Sequence, residues 1–536
     1  MSISCIARWL CDRKKISEEI YLKNNMMYLR VICAVLVMLY VTQAKAQDVK
    51  DKIKGYVASF NAFDNEAVIN NIANKDSYEW MVDNIPYLDC PDEDIEKIYY
   101  FRWWSFRKHI KDTPDGTIVT EFIEPVKHAA KYNAISCALG HHLYEGRWLK
   151  NTSFLNEYVD FWLYKADIGE TRPRFHQFSS WLPDALLAFH MVHPQQDYLT
   201  SRLEDLDKDY KKWQEERQTS SRLFWQHDVQ DGMEESVSGG RKEKNKRPTI
   251  NSYMPANAKA LSTIADLAGN KELSTHYQKE YMELKDLLID SLWDENDKFF
   301  KTKLENGEHH RAREAIGYVP WYFNLPPDNA DYAKAWSAVL DTLGFDAPWG
   351  LTTAERREPT FRTRGSGHGC EWDGALWPFA STQTLRGMGN FLSSYENHGE
   401  LLNEHFYYHL QKYAKSHVMN GHPYIGEYQD EVTGYWLKGD HPRSKFYNHS
   451  TYADLVIQDL IGLKPQLDDK LVIRPLIPQG AWTYFALTNL EYKGKVLEIY
   501  WDETGDRYNK GKGFSIYLDH KNVHQSSQIE DVSINI

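Results

Sequence analysis

Leu261-Ser-Thr-Ile-Ala-Asp-Leu-Ala-Gly269 sets Leu261, Ile264, Ala265 and Ala268 at i, i+3, i+4 and i+7 and follows them with a glycine. That spacing lines one face of a 3.6-residue helix, and glycine just past the last apolar position is a stop signal. The period recurs in Tyr277, Tyr281, Leu284 and Leu288, then in Tyr332, Ala335, Trp336, Val339, Leu340 and Leu343 with Gly344 behind them. Further helices fit Ile135 to Leu143, Leu182 to Met191, Leu402 to Tyr413 and Tyr452 to Leu463. Segments rich in Trp, Gly, Pro and His separate them, notably 221–256 and 345–378. Loops of that length inside a compact domain usually carry function. Helices from residue 50 to Pro465 with no strand periodicity predict a mainly α fold, with helix pairs in a closed toroid and a cleft built from loops at one end.

The texture changes at Pro465. Leu471-Val-Ile-Arg474, Val496-Leu-Glu-Ile-Tyr-Trp501 and Phe514-Ser-Ile-Tyr-Leu518 are short β-branched or alternating runs broken at Gly505-Asp506 and Asp519 to Asn522. So short a set of strands buries too little to stand alone, so a β-rich region over 465–536 is expected to pack onto a helical domain over 47–464.

The N-terminus reads as an export signal. Met27-Tyr-Leu-Arg30, the apolar run Val31 to Val41 and Ala44-Lys-Ala46 supply its charged, apolar and small-residue parts, with cleavage before Gln47 and the true start at Met26 or Met27. The run is too short for a membrane span, so residues 1–46 are expected to be leader, and the mature protein to be periplasmic or extracellular without a stable anchor. Cys5, Cys11 and Cys33 fall in that leader, leaving Cys90, Cys137 and Cys370, an odd, sparse set that describes neither a disulfide scaffold nor a zinc site. His141-His142 and His309-His310 lack a third ligand at useful spacing, and adjacent side chains on a helix point about 100° apart, so no metal or cofactor is expected. A net charge of −13 argues against a nucleic-acid partner, and the one basic cluster, Arg241 to Arg247, reads as a solvated loop. Aromatic residues make up 14% of the chain, and their rings suit the apolar faces of sugars.

Two acidic segments stand among aromatics: Asp231-Gly-Met-Glu-Glu-Ser236 behind Phe224, Trp225 and His227, and Gly426-Glu-Tyr428 behind His422, Pro423 and Tyr424. Glycosidic cleavage needs one protonated carboxyl to assist the leaving oxygen and one ionised carboxylate to activate water or attack carbon. Glu234 in Gly-Met-Glu, the stretch Trp372-Asp-Gly-Ala-Leu-Trp377-Pro378, and Gly426-Glu427-Tyr428 with Thr433-Gly434 resemble three ordered signposts of the (α/α)6 glycosidases. That group includes trehalases, processing α-glucosidases and mannosylglycerate-hydrolase-like enzymes. The resemblance covers residues 95 to 463 and rests on the order and spacing of the signposts. It implies an inverting, exo-acting hydrolase of an oligo- or polysaccharide, with the acid in the first signpost and the base in the third.

Two departures mark this chain. Glu234 stands where the group carries Asp, with Asp231 and Glu235 as rivals for the acid. Asp373 stands where many relatives carry Arg, which makes it a candidate hydroxyl-binding or catalytic carboxylate. Tyr100-Phe-Arg-Trp-Trp104, Asp115-Gly116 and the β tail resemble members of this fold that act on plant side-chain sugars. Glu234 and Glu427 are therefore the expected acid and base. Arg102, Trp103, Trp181, Trp225, His227, His368, Trp372, Trp377 and Tyr428 are the expected sugar-binding groups. The alternatives are a non-catalytic saccharide-binding protein, or a lyase using a Tyr or His base with a basic clamp.

Overall fold

A computed structural model describes residues 49–169, 174–362 and 369–536. The leader expected over 1–46 and the sugar contact expected at His368 lie outside the described residues. Residues 49–55 are helical and belong to an N-terminal unit; everything below concerns the second unit, Tyr56–Ile536.

Six helical segments succeed one another around a ring. They are Leu139–Gly146, Leu182–Val192, Pro248–Leu267, the pair Ala315–Tyr318 and Val319–Tyr322, Pro378–Ser394, and Ala453–Leu455 continued as the π-helical turn Val456–Leu460. Each packs on the next, and the last packs on the first. Composition explains which helices are inside. All residues from Pro378 to Leu392 are buried, and glycine or small polar groups fill the faces between neighbours. By contrast, Leu203–Arg217 buries only Leu203, Leu206, Tyr210 and Trp213, a single stripe laid against Pro248–Leu267. Lys271–Leu292 and Asn403–Ser416 lie outside the ring in the same way, whereas Glu93–Phe106, packed on Asn403–Ser416, is buried at every residue from Ile98 to Phe106. Two ring contacts are close enough to require glycine. A Cβ on Gly140 would sit 2.0 Å from the Trp181 ring, and one on Gly389 would sit 2.5 Å from the Asp459 carboxyl carbon.

Polar groups close the circle. The Glu145 carboxylate accepts backbone N–H bonds from Tyr452 at 3.1 Å, Ala453 at 3.0 Å and Asp454 at 2.8 Å, capping the last ring helix from the first. Asp454 in turn pairs with Arg147 at 2.8 Å, with Arg386 of Pro378–Ser394, and with the Trp148 indole N–H. Asp459 extends the network to Arg386 and Lys464, each at 2.8 Å.

The β region is attached rather than appended. One antiparallel sheet runs in the order Tyr87–Asp89, Tyr484–Tyr492, Lys495–Asp502, Gly513–Leu518, Lys521–Ser526, so its first strand comes from the helical part. Arg507 (3.0 Å) and the Tyr508 hydroxyl (2.6 Å) hold Asp89 from the far side of the sheet. Leu463–Lys464, Lys470–Ile473 and Val532–Asn535 form a second sheet.

Three local expectations are corrected. The loop expected over 221–256 ends earlier, because Pro248 occupies the first turn of a helix, where its missing N–H is not needed, and the helix continues through Pro255. The helix expected from Tyr332 to Leu343 is one turn, Ala330–Ala333, followed by the 3-10 stretch Lys334–Leu340. The break expected at Asp519 to Asn522 is a two-residue hairpin turn: Asp519 (φ 47°) and His520 (φ 64°) are left-handed, and the strand resumes at Lys521.

Removing Asp454 takes from the buried Arg147 its carboxylate and leaves the buried Arg386 with Asp459 alone. Breaking a buried pair in this way costs about 3–5 kcal/mol. Asp454→Ala is expected to lower stability in denaturant unfolding by that amount, whereas Lys208→Ala, which removes exposed i,i+3 and i,i+4 pairs, is expected to change it by less than ~1 kcal/mol.

Candidate active site

The three acidic and aromatic signposts are joined through the backbone. Trp372 N donates to Glu234 O at 3.4 Å, and Leu376 and Gln429 exchange N–H···O bonds at 2.9 Å in both directions. The turn carrying Glu234 is wound by its own side chains. Asp228 accepts from Val229 N at 2.6 Å and Glu235 N at 3.2 Å, while Glu235 adopts φ 65°. Gly232 adopts φ +71°, and an added Cβ there would lie 2.3 Å from Cys137 Sγ. Only glycine lets this turn double back against the start of the first ring helix.

Glu427 is held from the segment 441–450. Ser444 Oγ accepts Glu427 N at 2.9 Å, and Arg443 donates to Glu427 Oε1 at 2.9 Å. Buried groups from the first helices pin that segment in turn. His109 meets Phe446 O at 2.7 Å, His142 meets Asn448 O at 2.7 Å, and Arg102 donates to Ser450 O at 2.6 Å.

Together these segments enclose a cavity of about 280 Å³. Three carboxyl groups face it: Glu121, Glu234 and Glu427. Desolvation, with a smaller push from neighbouring carboxylates, raises Glu121 to about 8 and Glu234 to about 7. Burial also raises Glu427, but Arg443 and Lys438 oppose that rise and favour its charge. His449 is kept neutral by burial, and its ring nitrogens make no side-chain hydrogen bond among the described residues. Trp377 lines the cavity in a three-ring stack between Trp372 (4.6 Å) and Tyr428 (4.8 Å).

Of the residues expected from sequence, Glu234, Glu427 and Trp377 line the cavity, and Trp372 and Tyr428 back Trp377. The others lie elsewhere, for identifiable reasons. Arg102 is a buried strut, bonded to Ser450 and in contact with the His417 ring at 3.2 Å. Trp103 packs on Tyr99 and Phe106, and Trp181 on His141 and Tyr253. Trp225 stacks under Arg217 and Lys244, and the His227 ring bonds Glu243 O at 2.9 Å. Asp373 is fully buried, its carbonyl taken by Arg362 N at 2.7 Å. Glu235 is half-buried outside the lining. Asp231 is consumed by structure: its carboxylate accepts Arg247 Nε at 2.7 Å, Ser179 Oγ at 2.7 Å and Thr249 Oγ1. The sequence reading missed Glu121, Arg443, Tyr447 and His449, which sit in irregular segments whose only signal is an acid or His inside a short apolar or aromatic run.

Comparison with known proteins agrees with this fold. Residues 131–450 match the model of the mannosylglycerate hydrolase MGH1-like glycoside hydrolase domain, and residues 463–524 match the C-terminal domain of glycosyl hydrolase family 65. The chain belongs to the MGH1-like glycoside hydrolase family. Its fold is the (α/α) toroid of glycosidases with a C-terminal β-rich region. A solved chain named "Sialidase" is similar at 46% identity and TM-score 0.88 over 90% of this chain, but only 44% of that chain is covered. A rhamnosidase of Bacillus sp. GL1 shares the fold at 11% identity and TM-score 0.55, covering 78% of this chain and 40% of that one. The mannosylglycerate hydrolase from Thermus thermophilus does so at 10% identity and TM-score 0.50, over 67% and 98%. An uncharacterised protein of Borreliella burgdorferi is 23% identical over 290 residues, 51% of this chain and 56% of that protein. The chain thus spans about half the length of the first relatives it matches.

The environments of the neighbouring acids predict different mutant phenotypes. Asp231→Asn breaks a fully buried ion pair and is expected to destabilise the fold by about 3–5 kcal/mol in denaturant unfolding. Glu234→Gln removes a carboxyl that burial disfavours in its charged form, and is expected to leave stability unchanged or raised at pH 8.

Proposed function

We propose that this glycoside hydrolase is an exported, exo-acting enzyme that removes a terminal sugar from an oligo- or polysaccharide with inversion of configuration. The observation that carries the proposal is the unequal environment of two carboxyls in one cavity. Glu234, pushed up to about 7 by desolvation, holds a proton at neutral pH to give to the leaving oxygen. Glu427, with Arg443 at 2.9 Å, is the better-stabilised anion and takes the proton of the attacking water. No charge-relay nucleophile or metal is needed for that pair, and among the described residues no cluster of three or more metal-ligating side chains occurs. The Trp377 ring offers the apolar face a pyranose or furanose ring stacks on.

A cavity of about 280 Å³ suits one terminal sugar. Export rests on the leader composition, and a saccharide outside the cytoplasm is the corresponding substrate. Among the described residues no helix is long and apolar enough to cross a membrane.

The test is a proton NMR time course on α- and β-linked oligosaccharides, including plant side chains. First-formed sugar of inverted anomeric configuration is expected from the wild type. Glu234→Gln and Glu427→Gln are each expected to lose about 10²–10⁴-fold in kcat with melting temperature retained. An unsaturated product, or activity surviving both changes, overturns the mechanism.

The pH profile follows from the same pair. Glu234 is active while protonated, so kcat/KM falls as pH rises through about 7. Glu427 is active while ionised, so it falls again as pH drops through that group's raised pKa, above the ordinary carboxylate value.

A further inference from the structure

The third carboxyl of the cavity has no part in the acid–base pair. Glu121 follows the two-residue strand Ile118–Val119 and is 3% exposed. Its Oε1 accepts the Tyr447 hydroxyl, and its backbone carbonyl accepts Asn448 N at 2.9 Å. Its Oε2 is buried at the cavity wall and finds no hydrogen-bond partner among the described residues. His449 also lines the cavity, its ring 3.8 Å from that of Tyr447 and its two nitrogens without a side-chain hydrogen-bond partner among the described residues. Buried polar atoms almost always have partners, and those of Glu121 and His449 belong to residues lining a cavity whose occupant can supply them.

We propose that Glu121, through Oε2, and His449, through its ring nitrogens, read the hydroxyl groups of the terminal sugar, and that this sugar is uncharged. The proposal deepens the hydrolase assignment and rests on it. The chemistry fits a polyol. A carboxylic acid donates one hydrogen bond from Oε2 while Tyr447 satisfies Oε1, and a neutral imidazole offers one donor and one acceptor. Burial favours the protonated acid at neutral pH. The cavity's charge balance argues against an acidic sugar. Glu427 already holds Arg443, and a substrate carboxylate would approach Glu121, Glu234 and Glu427 together. Arg241 is the other cation of the lining and is exposed. The name of the 46%-identical relative, "Sialidase", belongs to a chain more than half of which this protein does not cover.

The titratable and charged groups facing Glu121 are Tyr447 and Arg443 from 441–450, Glu427, Glu234, Cys137 before the first ring helix, and Tyr158 of Ser153–Tyr164. Ionisation of Glu121 among two other carboxylates removes the Oε2 donor and is expected to weaken sugar binding.

The experiment is saturation-transfer NMR on the full chain carrying Glu234→Gln, with free neutral pentoses and hexoses, hexuronic acids and sialic acid as probes. A neutral sugar is expected to bind. Adding Glu121→Gln, whose amide still donates, is expected to keep affinity within about threefold at pH 6, whereas Glu121→Ala is expected to lose about tenfold or more. Between pH 6 and pH 9 the Glu121-containing protein is expected to lose affinity and the Glu121→Gln protein to hold it, a contrast that survives even if Glu121→Ala fails to fold. Binding of acidic sugars only, absence of binding by any neutral probe, or the same pH response in both proteins overturns the proposal. Because binding is read without turnover, these outcomes are separate from the fate of Glu234 and Glu427 as acid and base.

Discussion

The toroid depends on how its last helix is tied to its first. A ring of six helical segments has no sheet to fix its closure, and the sixth, Ala453–Leu460, is short and continues as a π-helical turn. Its first N–H groups would be orphaned inside the protein without the Glu145 carboxylate. Asp454 and Asp459 then bind Arg147, Arg386 and Lys464, so that first, fifth and sixth segments share one buried network. Buried ion pairs contribute little net stability compared with a well-packed apolar core, but their demand for full pairing penalises any other register of the ring.

Closure matters to the candidate site because the loop that pairs with Glu427 precedes that last helix. Segment 441–450 carries Arg443, Tyr447 and His449 and runs directly into Thr451 and Tyr452 at the capped terminus. His109, His142 and Arg102 fasten it from the opposite side by bonds to its carbonyls. Burial keeps both histidines neutral at physiological pH, so each acts as a fixed donor rather than a switch. The conspicuous charged and aromatic residues of Tyr100-Phe-Arg-Trp-Trp104 thus act one layer behind the cavity, positioning groups that touch it.

How much of this was legible in sequence depended on periodicity and on local order. Helices with repeating apolar faces, such as Lys271–Leu292 and Asn403–Ser416, could be read directly, because a single stripe must face the core. Ring helices were legible where one face kept its period, as in Leu261 to Ala268, but the start of that same helix is buried on all sides and has no stripe, which is why Pro248-Thr-Ile-Asn251 read as loop. The strand Tyr87–Asp89 was invisible, its pairing partner Tyr484–Tyr492 lying almost 400 residues away. Glu234 and Glu427 were legible because each lies in a short motif. Glu121 and His449 were not, because they acquire meaning only when 118–122 and 441–450 are brought together by bonds such as Asn448 N to Glu121 O.

The same contrast separates residues that look catalytic from those placed to act. Asp231 and Glu234 are three positions apart in one turn, yet Asp231 points into Arg247, Ser179 and Thr249 while Glu234 faces the cavity. An acid whose two oxygens accept three side-chain hydrogen bonds is occupied in holding the fold. A desolvated acid without a cationic partner keeps its proton to a higher pH, which is the property general-acid catalysis requires. Arg247 pairs with Asp231 as Arg443 pairs with Glu427, while the state of Glu234 is set by desolvation and by the neighbouring Glu427 and Asp228.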